Sequence, residues 1–236
     1  MTKIFCYELR RLLLNKLFFG ILLLTLLYGY LTFTSSTILG AANTAPFSPW
    51  SFGDYLSRLL PVLCLGELSL LSFFTSPQER RAAVLTRATQ VSPGAYAAVR
   101  LGAVLLGTAA LALGAVGLCW GLYAGLFRWT AFSTLLAPLL LTLVPAVVFC
   151  LGAGWALGHI RPALVYGLMA AVLLLSWAPL PEALSLSLGS FFESCPRALG
   201  VLDPDFSVPA SVLAGRGLYL LAGVGALMGR PGKSSP

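Results

Sequence analysis

Charge is what this 236-residue sequence has least of. Only 10% of its residues are Asp, Glu, Lys or Arg, against about 25% in an ordinary soluble domain. Meanwhile 58% are hydrophobic and the mean hydropathy is +0.89. So few charges cannot cover a water-facing surface, which excludes a soluble globular domain and indicates an all-α polytopic membrane protein. Histidine is nearly missing as well, with His159 alone. There is no Ser/His/Asp set, no His-Glu-x-x-His and no pair of carboxylates within an apolar run, so intramembrane hydrolysis has no residues to run on. The five cysteines, Cys6, Cys64, Cys119, Cys150 and Cys195, form no Cys-x-x-Cys pair. Three lie in apolar runs, where Cys behaves as a small hydrophobe, and neither a disulfide nor a metal site is expected. Gly232-Lys233-Ser234 imitates the end of a phosphate-binding loop, but Leu227 stands where the motif needs its first Gly. ATP hydrolysis by this chain is therefore not expected, and the chain reads as no enzyme.

What is present is a series of apolar runs. A helix crossing a bilayer needs roughly 20 apolar residues, and six segments qualify: about 17–38, 55–75, 100–126, 132–158, 163–179 and 210–229. The run from Leu17 is longer than a signal-peptide core and follows a charged stretch, so it reads as a first span; Gly40, Ala41 and Ala42 leave cleavage as the alternative. The net charge of +7 would point to nucleic acid in a soluble protein. Here the charges sit between apolar runs, so topology and anionic headgroups account for them and no nucleic acid is expected. With the N-terminus inside, Lys3, Arg10, Arg11, Lys16, Arg80, Arg81, Arg87, Arg100, Arg161, Arg230 and Lys233 are cytoplasmic, eleven of the fifteen Lys and Arg. The expectation is a cytoplasmic-membrane protein with both termini inside, the loops at Ser36–Asp54, Arg128 and Gly189–Asp205 outside, and Trp50, Trp129 and Trp177 near the outer interface.

Residues 2–16, TKIFCYELRRLLLNK, place Phe5, Cys6, Leu9, Leu12 and Leu13 in one arc of a helical wheel and Lys3, Tyr7, Glu8, Arg10, Arg11 and Asn15 in the other. This predicts an amphipathic helix lying in the membrane interface, the alternative being an extension of the first span. The third span carries Gly117, Gly121 and Gly125, two overlapping Gly-x-x-x-Gly units, which serve either a seam with another subunit or packing within the chain. Glu67 is the one acid inside a span. A mid-membrane charge costs about 2.5–3.5 kcal/mol, so the group is protonated, paired or facing water. It either lines a path or seam, or bonds to a neighbouring helix. Residues 179–209 are too polar for a span and too apolar for a free loop, which fits Pro-bounded short helices dipping into the outer interface.

Between spans two and three lies TSPQERRAAVLTRATQVSPG, an island of charge bracketed by Ser-Pro. On a wheel Glu79, Arg80, Thr86, Arg87 and Gln90 share one arc, and Val84, Leu85, Ala88 and Val91 share the other with Arg81 among them. An amphipathic cytoplasmic helix of about three turns is expected over 76–94, the alternative being a solvated loop whose positive charges serve topology alone.

The order of these parts resembles the type-2 ABC exporter permeases, membrane subunits related to the G and A subfamily exporters. The resemblance covers the whole chain and is most specific at Glu79-Arg80-Arg81, the following AAVLTRATQV, and Ser92-Pro93-Gly94. The family often shows Arg-Glu and then Gly within this helix, and Lys at the start of the third span; this chain has Glu-Arg, no Gly, and Arg100. The resemblance implies a permease subunit that dimerises with a second permease, homo- or heterodimeric, and docks on a separate ATP-binding subunit holding ATP and Mg. It implies that Glu79, Arg80, Arg81, Val84, Leu85 and Arg87 form the coupling helix, and that the cargo is an amphiphile: a peptide antibiotic, drug or lipid. A membrane scaffold or assembly protein without a nucleotide partner is the competing class.

Overall fold

The computed structural model describes residues 2–42, 44–76, 93–178, 181–182 and 184–229. Regular structure among them is helical, with no strand. In chain order the helices are α1 (Thr2–Leu13), α2 (Lys16–Ser35), α3 (Pro49–Thr75), α4 (Pro93–Phe127), α5 (Leu136–Ile160), α6 (Ala163–Trp177), α7 (Gly189–Leu199) and α8 (Ala210–Met228). Five of these regions, Lys16–Leu39, Pro49–Thr75, Gly94–Phe127, Phe132–Ile160 and Ala210–Met228, are long and apolar enough to cross a bilayer. The chain is a multi-pass membrane protein.

The fifth expected span, about 163–179, forms the short helix α6. Helix α6 has 15 residues, about 22 Å at 1.5 Å per residue, against a hydrocarbon core of about 30 Å. Its first turn nevertheless meets the C-terminal end of α5, where a Cβ on Gly158 would touch Val165. Its last residues, Ser176 and Trp177, line a hollow with Asp54 and Arg58 of α3. Its first turn thus lies beside the end of α5 and its last residues beside the first turns of α3.

The two ends of the bundle can be named by what caps them. At the α1 end lie the C-termini of α3 and α5 and the N-terminus of α4; at the α7 end lie the α2–α3 loop and α7. Helix α3 is the central member, packed against α2, α4, α5, α6 and α7. It begins at Pro49, six residues before the expected start, because Ser48 Oγ accepts from Ser51 N at 3.2 Å and Pro49 suits the first helical position. Its first turns carry Ser51 and Asp54, expected in the α2–α3 loop, and Ser57, and all three are buried. Pro61 lies inside the helix.

Helix α1 is separate from α2. The chain breaks at Leu14–Asn15, and Asn15 caps α2 by accepting from Leu17 N at 3.1 Å. Helix α1 does not extend the first span. It packs along the first turns of α4, where Phe5 and Leu12 reach Gly102 and Gly107. Cys6, expected in the apolar arc, is exposed, and Glu8, expected in the polar arc, is buried.

The α7 end is closed by an aromatic cluster. Trp50 is fully buried, with ring centroids 5.5 Å from Phe191 and 5.0 Å from Phe206. Its Nε1 donates to Pro204 O at 2.8 Å, giving the indole both apolar cover and a polar partner. Trp50 is thus a core residue and not an interface residue, whereas Trp177 is 89% exposed as an interface ring would be. Over 179–209 the described residues form one helix, α7, where short helices were expected.

Candidate functional site

The expected coupling residues Glu79, Arg80, Arg81, Val84, Leu85 and Arg87 lie outside the described residues. Both stems of that segment are described, and they meet in a buried polar cluster with α1. The Tyr96 hydroxyl donates to Glu8 Oε1 at 2.7 Å, and Arg100 Nη2 donates to the Tyr96 oxygen at 2.8 Å. Arg100 Nε lies 3.9 Å from Glu8 Oε1, and Arg100 Nη1 donates to the Phe74 carbonyl at 3.4 Å. The guanidinium also sits 4.4 Å from the Tyr96 ring centroid. From α1, Arg11 pairs with Glu8 at 3.6 Å and lies 4.8 Å from the Phe73 ring centroid.

Phe73 and Phe74 close α3, two residues or fewer before its end, and Tyr96 and Arg100 open α4. The Glu8 carboxylate on α1 therefore binds the returning stem of segment 77–92 directly, and its two cationic partners, Arg100 and Arg11, reach the outgoing stem at the Phe74 carbonyl and the Phe73 ring. Glu8 and Arg100 side chains are only 4% and 9% exposed, so this is a buried charge pair with additional bonds, the arrangement that tolerates removal of one partner least. Arg100 had been read as a topological anchor and Glu8 as part of a wetted face. A helical wheel sorts side chains by their own helix only. Nothing in it reports a cation presented by another helix 92 positions away.

Glu67 sits at the α3–α5 seam beside Cys64 and Cys150, with no exposed surface. Neither of its oxygens has a hydrogen-bond partner among the described residues. Among the described residues no cation pairs with it and no neighbouring helix offers it a hydrogen bond.

Gly117, Gly121 and Gly125 share an exposed face of α4, and a Cβ on any of them meets nothing within 4 Å. Among the described residues they pack against no other helix. The close helix crossing lies elsewhere. A Cβ on Gly152 of α5 would stand 2.1 Å from Gly223 O of α8, and one on Gly223 would stand 2.5 Å from Val148 O. These two glycines let two backbones touch. They escape a spacing search because they face each other across two helices.

A third polar feature was also not foreseen. Arg216 in α8 is 3% exposed and donates to the Leu186 carbonyl at 2.8 Å and to the Ser185 carbonyl. The neighbouring Tyr219 hydroxyl donates to the Leu184 carbonyl. Residues 184–186 are thereby held to the flank of the last helix. His159 is exposed, its Nδ1 2.9 Å from the Trp155 carbonyl and its ring against Trp155, as a residue reaching to the interface would be. All five cysteines are free, and no group of three His, Cys, Asp or Glu that could hold a metal occurs among the described residues.

Compared with protein-family models, with curated proteins and with solved structures, the chain matches none of them.

Proposed function

We propose that this chain is the permease subunit of a type-2 ABC exporter, moving an amphiphile across the cytoplasmic membrane on energy supplied by a separate ATP-binding subunit. In this reading it crosses the bilayer six times, α6 being the short span, with both termini in the cytoplasm. The α1 end is the cytoplasmic end, and Asp54, Arg58, Glu193 and Arg197 lie at the outer face. ATP and Mg belong to the partner, and this chain contributes no catalytic group. Two copies, or one copy and a related permease, enclose the path; the bare glycine face of α4 is available to such a seam.

The observation that best supports this reading is the Glu8–Tyr96–Arg100 cluster. A loop that served topology alone would need its charges and nothing more. Here the returning stem is bound to a third helix through a buried carboxylate, and the cations paired with that carboxylate reach the outgoing stem, so a push on the segment is passed to α1, α3 and α4. That is the mechanical requirement on an element that carries motion from a cytoplasmic motor into the membrane. The exposed apolar faces of α2, α6 and α8 suit cargo that enters from the bilayer.

The test is purification of the full chain from its native membrane, with nucleotide hydrolysis measured in the eluate. An ABC ATPase should co-elute with activity. Replacing Glu79, Arg80 and Arg87 together by Ala should remove it without lowering the membrane level of the chain, since Arg81 and Arg100 still hold that side inside. Hydrolysis that is absent from the wild type, or unchanged in the triple variant, would favour a scaffold without a nucleotide partner.

A further inference from the structure

At the α7 end, four helices leave a hollow of about 370 Å³, within the roughly 300–1,000 Å³ typical of small-ligand sites. It is lined by Tyr28 of α2, Asp54 and Arg58 of α3, Trp177 of α6 and Glu193 of α7. No reading of the sequence brought these residues together. Asp54 is the fixed part. Its side chain is 7% exposed, and it accepts from Arg58 Nε at 2.8 Å and from Ser36 Oγ at 3.3 Å. That leaves both terminal nitrogens of the Arg58 guanidinium without a partner among the described residues, on a side chain 47% exposed. Across the hollow, Glu193 spends one oxygen on Arg197 at 2.9 Å and keeps the other unpartnered among the described residues, at 52% exposure.

The signs decide what can sit there. A lone anion drawn to Arg58 would face the Asp54 and Glu193 carboxylates. A lone cation drawn to Glu193 would face the Arg58 guanidinium. A group carrying a phosphate and an ammonium a few bonds apart meets opposite charge at both ends. Arg–phosphate contact is among the stronger charged hydrogen bonds, and the Tyr28 and Trp177 rings can cover the ammonium. One turn deeper in the membrane, Leu24 on α2 and Leu173 on α6 are exposed on the same faces as Tyr28 and Trp177, which gives acyl chains a run below the headgroup.

We infer that this hollow is a binding site for the headgroup of a zwitterionic phospholipid in the leaflet at the α7 end, phosphate on Arg58 and ammonium toward Glu193. The assignment does not depend on a nucleotide partner. It holds for an exporter and for a scaffold alike.

The test uses the full chain, purified and delipidated in a neutral detergent, titrated with short-chain phosphatidylethanolamine or phosphatidylglycerol and followed by native mass spectrometry and thermal melting. The wild type should bind the zwitterion about tenfold more tightly than the anionic lipid, the ratio corresponding to one well-placed charged contact. Glu193→Gln, an exposed change that leaves folding intact, should erase that preference by weakening phosphatidylethanolamine and strengthening phosphatidylglycerol. Arg58→Gln should weaken both lipids about tenfold. Inorganic phosphate and ethanolamine, added singly, should not raise the melting temperature. Equal affinity for the two lipids, a preference unmoved by Glu193→Gln, or full protection by inorganic phosphate alone would each overturn the assignment.

Discussion

Adding one methyl group at the α5–α8 crossing tests the packing most directly. In Gly152→Ala the new Cβ would stand 2.1 Å from Gly223 O and 2.8–2.9 Å from the Gly223 carbonyl carbon and Cα. Every atom it meets is backbone, so no side chain can rotate away, and the helices must separate by about 1 Å or more to reach ordinary contact near 3.5 Å. Gly223→Ala meets the same obstacle from the other side, with Val148 O at 2.5 Å. Overpacking of this kind costs about 1–3 kcal/mol. It falls on a seam where lipid replaces water, so packing and not the hydrophobic effect holds the helices together. We expect each variant to lose about 1–3 kcal/mol in unfolding by sodium dodecyl sulfate titration from mixed micelles. Gly117→Ala, Gly121→Ala and Gly125→Ala form the control series, since nothing lies within 4 Å of the added carbon. In detergent these should be neutral or slightly stabilising, Ala being the better helix former. If Gly152→Ala unfolds with the control series, the α5–α8 contact described here is wrong.

Three further outcomes are expected. Glu8→Gln keeps an acceptor for the Tyr96 hydroxyl but removes the charge 3.9 Å from Arg100, and should cost about 3–5 kcal/mol, as breaking a buried pair does; a loss under about 1 kcal/mol in the same unfolding assay would show the pair to be wetted. Glu67→Leu should raise the melting temperature, because it removes two buried oxygens that no donor meets, while Glu67→Gln should give no such gain; a lower melting temperature for the Leu variant would mean that the carboxyl is bonded in the folded protein. The Cys195 thiol is pushed up by burial and then by the Glu182 carboxylate, so Glu182→Gln should increase its thiolate fraction below the thiol pKa. In a Cys6→Ser background at fixed pH near 8, maleimide labelling of Cys195 should then speed up, and an unchanged or slower rate would refute the electrostatic contact.

The spans were legible because the bilayer imposes a length on apolar runs that no partner can change. Segment ends were less so wherever burial comes from another part of the chain. Ser51 and Asp54 have the composition of a loop, and only the α2–α3 hairpin and α7 lying over them make them the first turns of a helix. Arg100 shows the same limit at the other end. Its position at the start of an apolar run places it at the end of a span, but its pairing with Glu8 is a contact between helices that are not neighbours in the chain. Gly117, Gly121 and Gly125 have the spacing of a packing motif and no partner among the described residues, whereas Gly152 and Gly223 have a partner and no motif. The hollow around Asp54 and Arg58 draws on four helices, and no window of sequence contains it.

The hydrogen bond from Trp50 Nε1 to Pro204 O joins residues 154 positions apart, and this sets an order on biogenesis. At roughly 5–20 residues per second of synthesis, about 8–30 s pass between the emergence of the indole and that of its acceptor. Throughout that interval α3, the most buried helix of the finished bundle, has been made while the α7 cluster that covers its first turns has not. The nascent chain must hold a central helix with its Trp50 and Gly53 face uncovered until Phe191, Phe192 and Phe206 arrive. A chain stopped before Phe191 would present that face to the insertion machinery and to membrane proteases, so completion of the α7 cap is the step at which the protein becomes distinguishable from an abandoned fragment.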